Sequence, residues 1–111
     1  MTTTDLQALV RTVNEVLILA SLRSGRKHGY QIALDVERDT DGVFGFQHGT
    51  LYPILHRLEK DGLIAGDWDD AGGRRRKVYA LTEPGRKHME REGARCAGVF
   101  AAFNDVLGSS T

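Results

Sequence analysis

Between Gln47 and Lys60, hydrogen-bond donors and cations are interleaved with apolar residues at helical spacing. Leu51, Ile54, Leu55 and Leu58 recur at intervals of 3, 4 and 7, which is one buried stripe of a helix. Thr50, Tyr52, His56, Arg57 and Lys60 fall on the remaining surface, with Pro53 among them. Hydroxyl, imidazole and guanidinium groups on one helix face are donors for base edges and phosphate oxygens. Gln47 and His48, at the start of the helix, are placed to reach a groove floor. A second concentration of charge, Arg74, Arg75, Arg76 and Lys77, follows the glycine pair Gly72-Gly73. A basic tip on a flexible turn is suited to phosphate or to the minor groove. Tyr30 adds a hydroxyl that serves either a phosphate or packing against the 47–60 helix.

The elements around these residues read as follows. A long first helix is expected over residues 5–23, with Leu6, Leu9, Val13, Val16 and Ala20 on one stripe. Val10, Leu17 and Ile18 give it a second stripe, so one face serves the core and the other a partner subunit. Residues 24–29 form a turn, and a second helix over 29–38 turns Ile32, Ala33 and Val36 inward. The connector Val43-Phe44-Gly45-Phe46 leads to a third helix over about 48–61, ended by Gly62. Residues 63–67 and 77–81 are strand-like, and the flexible turn Asp69-Asp70-Ala71-Gly72-Gly73 between them makes a β-hairpin. Thr82 and Pro84 open a fourth helix carrying Met89, Gly93, Cys96, Phe100, Phe103 and Leu107 at spacings of 4, 3, 4, 3 and 4. That spacing is a helix–helix seam. Residues 108–111 read as a frayed end.

The expected fold is therefore mainly α with a small β-hairpin: a winged helix-turn-helix over residues 1–81, followed by a C-terminal dimerisation helix over 82–111. Helix, glycine, strand and basic turn is the order that sends the third helix into a major groove. The expected dimer seam comprises Leu6, Leu9 and Val13 with Met89, Cys96, Phe100, Phe103 and Leu107.

Composition bounds the function. At 111 residues the chain builds one modest core. Its formal net charge is zero, but Arg23, Arg26 and Lys27 and then residues 74–77 concentrate the cations, while acids concentrate at Asp35, Glu37, Asp39 and Asp41 and then at Asp67, Asp69 and Asp70. A neutral chain polarised in this way still presents a basic face. No apolar run approaches the ~20 residues of a membrane span, and no secretory signal is visible, so a cytoplasmic protein is expected. Cys96 stands alone, which rules out an internal disulfide framework and fits a small buried residue better than a redox sensor. His28, His48, His56 and His88 do not cluster at ligand spacing, so neither metal nor cofactor is expected. Ser21, Ser24, Ser109 and Ser110 lack a nucleophile elbow, and Glu59 and Asp61 do not face each other, so no enzyme is read.

Three blocks together carry a family resemblance: His28-Gly29-Tyr30; Gly49-Thr50-Leu51-Tyr52-Pro53 with His56-Arg57-Leu58-Glu59 and Gly62-Leu63-Ile64; and Gly73-Arg74-Arg75-Arg76-Lys77-Val78-Tyr79 with Leu81-Thr82-Glu83-Pro84-Gly85. The chain resembles the PadR family of bacterial transcriptional regulators over about residues 15–85, and its length resembles the short branch with one C-terminal dimerisation helix. The resemblance implies a homodimer that binds a double-stranded DNA operator and represses transcription, with a small-molecule effector at the dimer seam in some relatives. One multidrug-binding branch stacks its ligand on a tryptophan of the C-terminal helix. Here the only tryptophan, Trp68, is in the first wing strand, and the seam offers Phe100 and Phe103 instead. The rival reading is a winged-helix protein–protein module, which would keep the core and lose the basic face.

Overall fold

In the computed structural model, residues 2–108 are described; Met1 and most of the expected frayed end, residues 109–111, lie outside them. Helix α1 spans Thr3–Ser21. Thr2 and Asp5 cap it reciprocally, each side chain accepting a hydrogen bond from the other's backbone N–H. Strand β1, Lys27–His28, leads into α2, Gly29–Asp39. Helix α3 is His48–Lys60, strands β2 and β3 are Ile64–Asp69 and Arg76–Leu81, and α4 is Glu83–Gly108. Gly108, expected in the frayed end, is the last residue of α4.

The stripe Leu51, Ile54, Leu55 and Leu58 is buried as its spacing requires. It meets Ile18, Leu19 and Leu22 of the α1 end, Ile32 and Val36 of α2, and Ile64 and Tyr79 of the sheet. Leu19 and Leu22, absent from the predicted stripes, are among the most buried residues of this first segment. Gly62, at φ 76°, lets α3 end with the Leu63 N–H returning to the Leu58 carbonyl at 2.9 Å.

The sheet departs from the expected hairpin. It has three antiparallel strands in the order β1-β3-β2. Lys27 and His28, read as turn, pair with Tyr79 and Val78. Two residues carry no alternation to read, so only the exposed edge of β3 decides that they are strand. Lys27 is further fixed by the buried Asp35, 2.5 Å away, which also accepts from Gln31 at 2.7 Å. The Lys27 hydrogen bond holds the Asp35 carboxyl below its ordinary range.

The start of α4 is locked to the end of α3. The Thr82 hydroxyl donates to the Gly62 carbonyl at 2.7 Å and accepts from the Gly85 N–H at 3.0 Å. A Cβ on Gly85 would overlap the Leu63 carbonyl, so this closeness requires glycine. Strand β3 ends at Leu81 and α4 begins at Glu83, and Met89 of α4 joins the main core. Among the described residues, no helix is long and apolar enough to cross a membrane.

Candidate nucleic-acid interface

Successive residues of α3 are turned by about 100°, so its polar surface divides into flanks. His56, on the flank toward the sheet, is exposed. Tyr52, on the same flank, is half-buried, its ring and hydroxyl packed to within 3.2 Å of where a Cβ on Gly29 would stand. Glycine at the start of α2 thus lets the tyrosine of α3 close the gap between the two helices. His48 lies 5.5 Å from the Tyr52 ring, centroid to centroid. Gln47, Gly49, Thr50, Pro53 and Lys60 are exposed.

A cleft of about 330 Å3 separates this flank from the wing. Tyr30, Tyr52 and His56 line it from the helices; Trp68, Arg76, Lys77 and Tyr79 line it from the sheet. His28 also lines it, its Nε2 3.3 Å from an Asp69 carboxylate oxygen. The Asp69 carboxyl is held below its ordinary range, first by the Ala71 N–H and then by His28. The structure thereby brings Tyr30, Tyr52, His56, Arg76 and Lys77 together.

Other predicted contacts diverge. Arg57 lies about 100° around α3 from His56 and is engaged by Glu15 of α1, 3.3 Å away. Lys77, although it lines the cleft, is bonded to Glu59, with Nζ 2.8 Å from Oε1, and that bond raises its pKa. A Cβ on Gly66 would strike both members of this pair. Arg74 and Arg75 remain at the tip, Arg75 near Asp70 at 3.9 Å and over the Trp68 ring at 4.6 Å. A turn at Ala71–Gly73, with Gly72 and Gly73 at positive φ, projects this tip. Spacing in the sequence gives the side of a helix, but not which acidic partner waits beside it. The cleft's Trp68 and His28 were also missed as site residues; alternation of Trp68 with Gly66 and Ile64 was the available signal.

The seam predicted along α4 divides in two. Met89 and Cys96 are buried within the protomer, as is Val13 opposite them. Their partner is α1 of the same chain, with Gly93 approaching Val16. Leu9 is half-buried, whereas Leu6, Val10, Val99, Phe100, Phe103 and Leu107 are exposed. The unburied apolar surface therefore begins near Phe100, and on α1 it includes Val10 beside Leu6. A hollow of about 190 Å3 lies between the helices, lined by Val13, Val16, Leu17, Gly93, Cys96, Ala97 and Phe100.

Comparison with known proteins agrees with this geometry. The family described as "Transcriptional regulator PadR-like family" matches residues 18–91. A Streptococcus mutans protein, smu.1704, is 30% identical, with a TM-score of 0.74 over 88% of this chain and 89% of that one. The PadR regulator of Bacillus subtilis, solved in complex with operator DNA, is 28% identical, with a TM-score of 0.65 over 71% of this chain and 45% of that one. The transcriptional regulator Rv3488 of Mycobacterium tuberculosis is 40% identical over 60 residues, covering 54% of this chain but only 43% of that protein.

Proposed function

Since the chain belongs to the PadR-like family of transcriptional regulators, we propose that it is a sequence-specific DNA-binding repressor acting as a homodimer on a pseudo-palindromic operator. One observation carries the reading: the exposed flank of α3, the start of α2 and the basic wing open onto a single cleft. A phosphate backbone running through that cleft would meet Tyr30 and His56 on one side and Arg76 on the other. With α3 in the major groove, Gln47, His48, Thr50, Tyr52 and Pro53 face the bases, and Arg74, Arg75 and Arg76 face flanking phosphates. Arg57 and Lys77, engaged by Glu15 and Glu59, act as positioning residues for α3 and the wing. The rival protein–protein module gives no reason for three adjacent wing arginines.

Two copies would set their α3 helices in successive major grooves about 34 Å apart. The exposed run of Phe100 and Phe103 with Leu6 and Val10 is the surface assigned to the second copy. These are large apolar side chains that a single copy leaves in water, and a second copy would cover them. The α1–α4 hollow, about 190 Å3, is smaller than the roughly 300 Å3 of an ordinary ligand site. An effector there requires walls from both copies, and would shift the angle between the two α3 helices. The complex acts in the cytoplasm, where the DNA is.

The test is binding to random and gene-upstream duplexes across a salt series, for the wild type and for Arg74→Ala/Arg75→Ala/Arg76→Ala. The salt slope should flatten by about one unit for every phosphate that the variant no longer neutralises. An unchanged slope would remove the wing from the interface. No retention of the wild type on any duplex at low salt would leave the protein–protein module standing.

A further inference from the structure

Trp68 is the chain's only tryptophan, and 54% of it is exposed. It is neither in the core nor on the α1–α4 surface. In β2 it stands opposite Lys77, two register steps beyond the Gly66–Tyr79 pair and so on the same sheet face. Cross-strand partners share a sheet face, and Lys77 on this face reaches Glu59 of α3. The indole is therefore on the wing surface turned toward the recognition helix, and it lines the same cleft as Tyr30 and His56. The Arg75 guanidinium carbon lies 4.6 Å from its ring centroid, and Lys77 Nζ lies 5.9 Å away.

This arrangement has a definite chemical use. A guanidinium at the end of a glycine-rich turn samples many positions, and stacking on a rigid strand restricts it while leaving its N–H groups free to donate. The indole itself offers an apolar face for a sugar and one N–H donor for a phosphate oxygen. Resting on the DNA-binding reading above, we propose that Trp68 is a DNA-contact residue of the wing. Its ring packs against the sugar–phosphate backbone in the cleft and presents Arg75 to an adjacent phosphate.

Two readouts on the full-length protein separate this inference from the reading beneath it. Anisotropy of a fluorescein-labelled random-sequence duplex at low salt reports DNA binding. Intrinsic fluorescence with acrylamide quenching reports Trp68 alone, because no other tryptophan contributes. The expected result is binding accompanied by loss of acrylamide access. Trp68→Ala and Arg75→Ala should each weaken affinity about two- to five-fold, the scale of an exposed cation–π contact. The double variant should lose less than the product of the two, and Trp68→Phe should retain most of the affinity by keeping the stack. Circular dichroism checks that the variants stay folded. Wild-type binding with unchanged quenching, or Trp68→Ala binding as wild type does, overturns the assignment and leaves the DNA reading intact. No wild-type binding overturns both.

Discussion

Arg57→Ala and Glu15→Gln, made singly and together, should weaken operator binding by similar small factors and leave base preference unchanged. The pair joins α3 to α1 across 3.3 Å, with side chains 42% and 16% exposed. With the guanidinium this open to water, screening keeps the pair near the surface range of about 0.2–1 kcal/mol. Its effect on DNA runs through the orientation of α3. A contact that favours one orientation by a given free energy cannot change affinity through that orientation by more. The ceiling is therefore about five-fold for either single variant, with no further weakening in the double. A side chain that reads a base behaves differently: its removal costs about 1–3 kcal/mol and alters the preferred base. Anisotropy titrations against duplexes varied one base pair at a time measure both quantities, and urea melts give the coupling between the two residues. The reasoning fails if Arg57→Ala costs about ten-fold or more with a shifted preference while Glu15→Gln binds as tightly as wild type. In that case Arg57 leaves Glu15 on binding and reads the operator.

Phe100→Asp should split the homodimer by placing unpartnered charges in the seam, and should weaken operator binding because the linked second half-site no longer contributes; sedimentation equilibrium beside anisotropy checks both, and a variant that stays dimeric and tight contradicts the assigned surface. Asp35→Asn should destabilise the fold by about 3 kcal/mol, because Lys27 loses its buried counter-charge. The Asp35 carboxyl is held below its ordinary value of 3.8, so its stabilisation is complete above that value and fades as pH falls through the lowered folded-state pKa. Urea midpoints followed from about pH 6 to about pH 2 should therefore drop more steeply in wild type than in Asp35→Asn. Gly85→Ala should cost about 1–3 kcal/mol in a denaturant melt, since its Cβ would overlap the Leu63 carbonyl; an unaltered midpoint would mean that the Thr82 junction yields easily.

Periodicity placed α2, α3 and α4, because each buries one face at a helical repeat, and the glycine-rich turn between two strand-like runs placed the wing strands. The polar flank of α3 and the wing arginines were legible for the same reason: a side chain excluded from the core stripe must face outward. Three things were decided only in three dimensions. Lys27 and His28 became a strand because β3 had an open edge to pair, which two residues of sequence cannot announce. Arg57 and Lys77 are paired with Glu15 and Glu59, residues 42 and 18 positions away in the chain. The even seam along α4 was split because α1 of the same chain covers Met89 and Cys96, leaving Phe100 and Phe103 outside. A repeat in sequence fixes which side of a helix is apolar or charged. Which neighbour meets that side is a property of the packed chain, set by long-range contacts that no local pattern encodes.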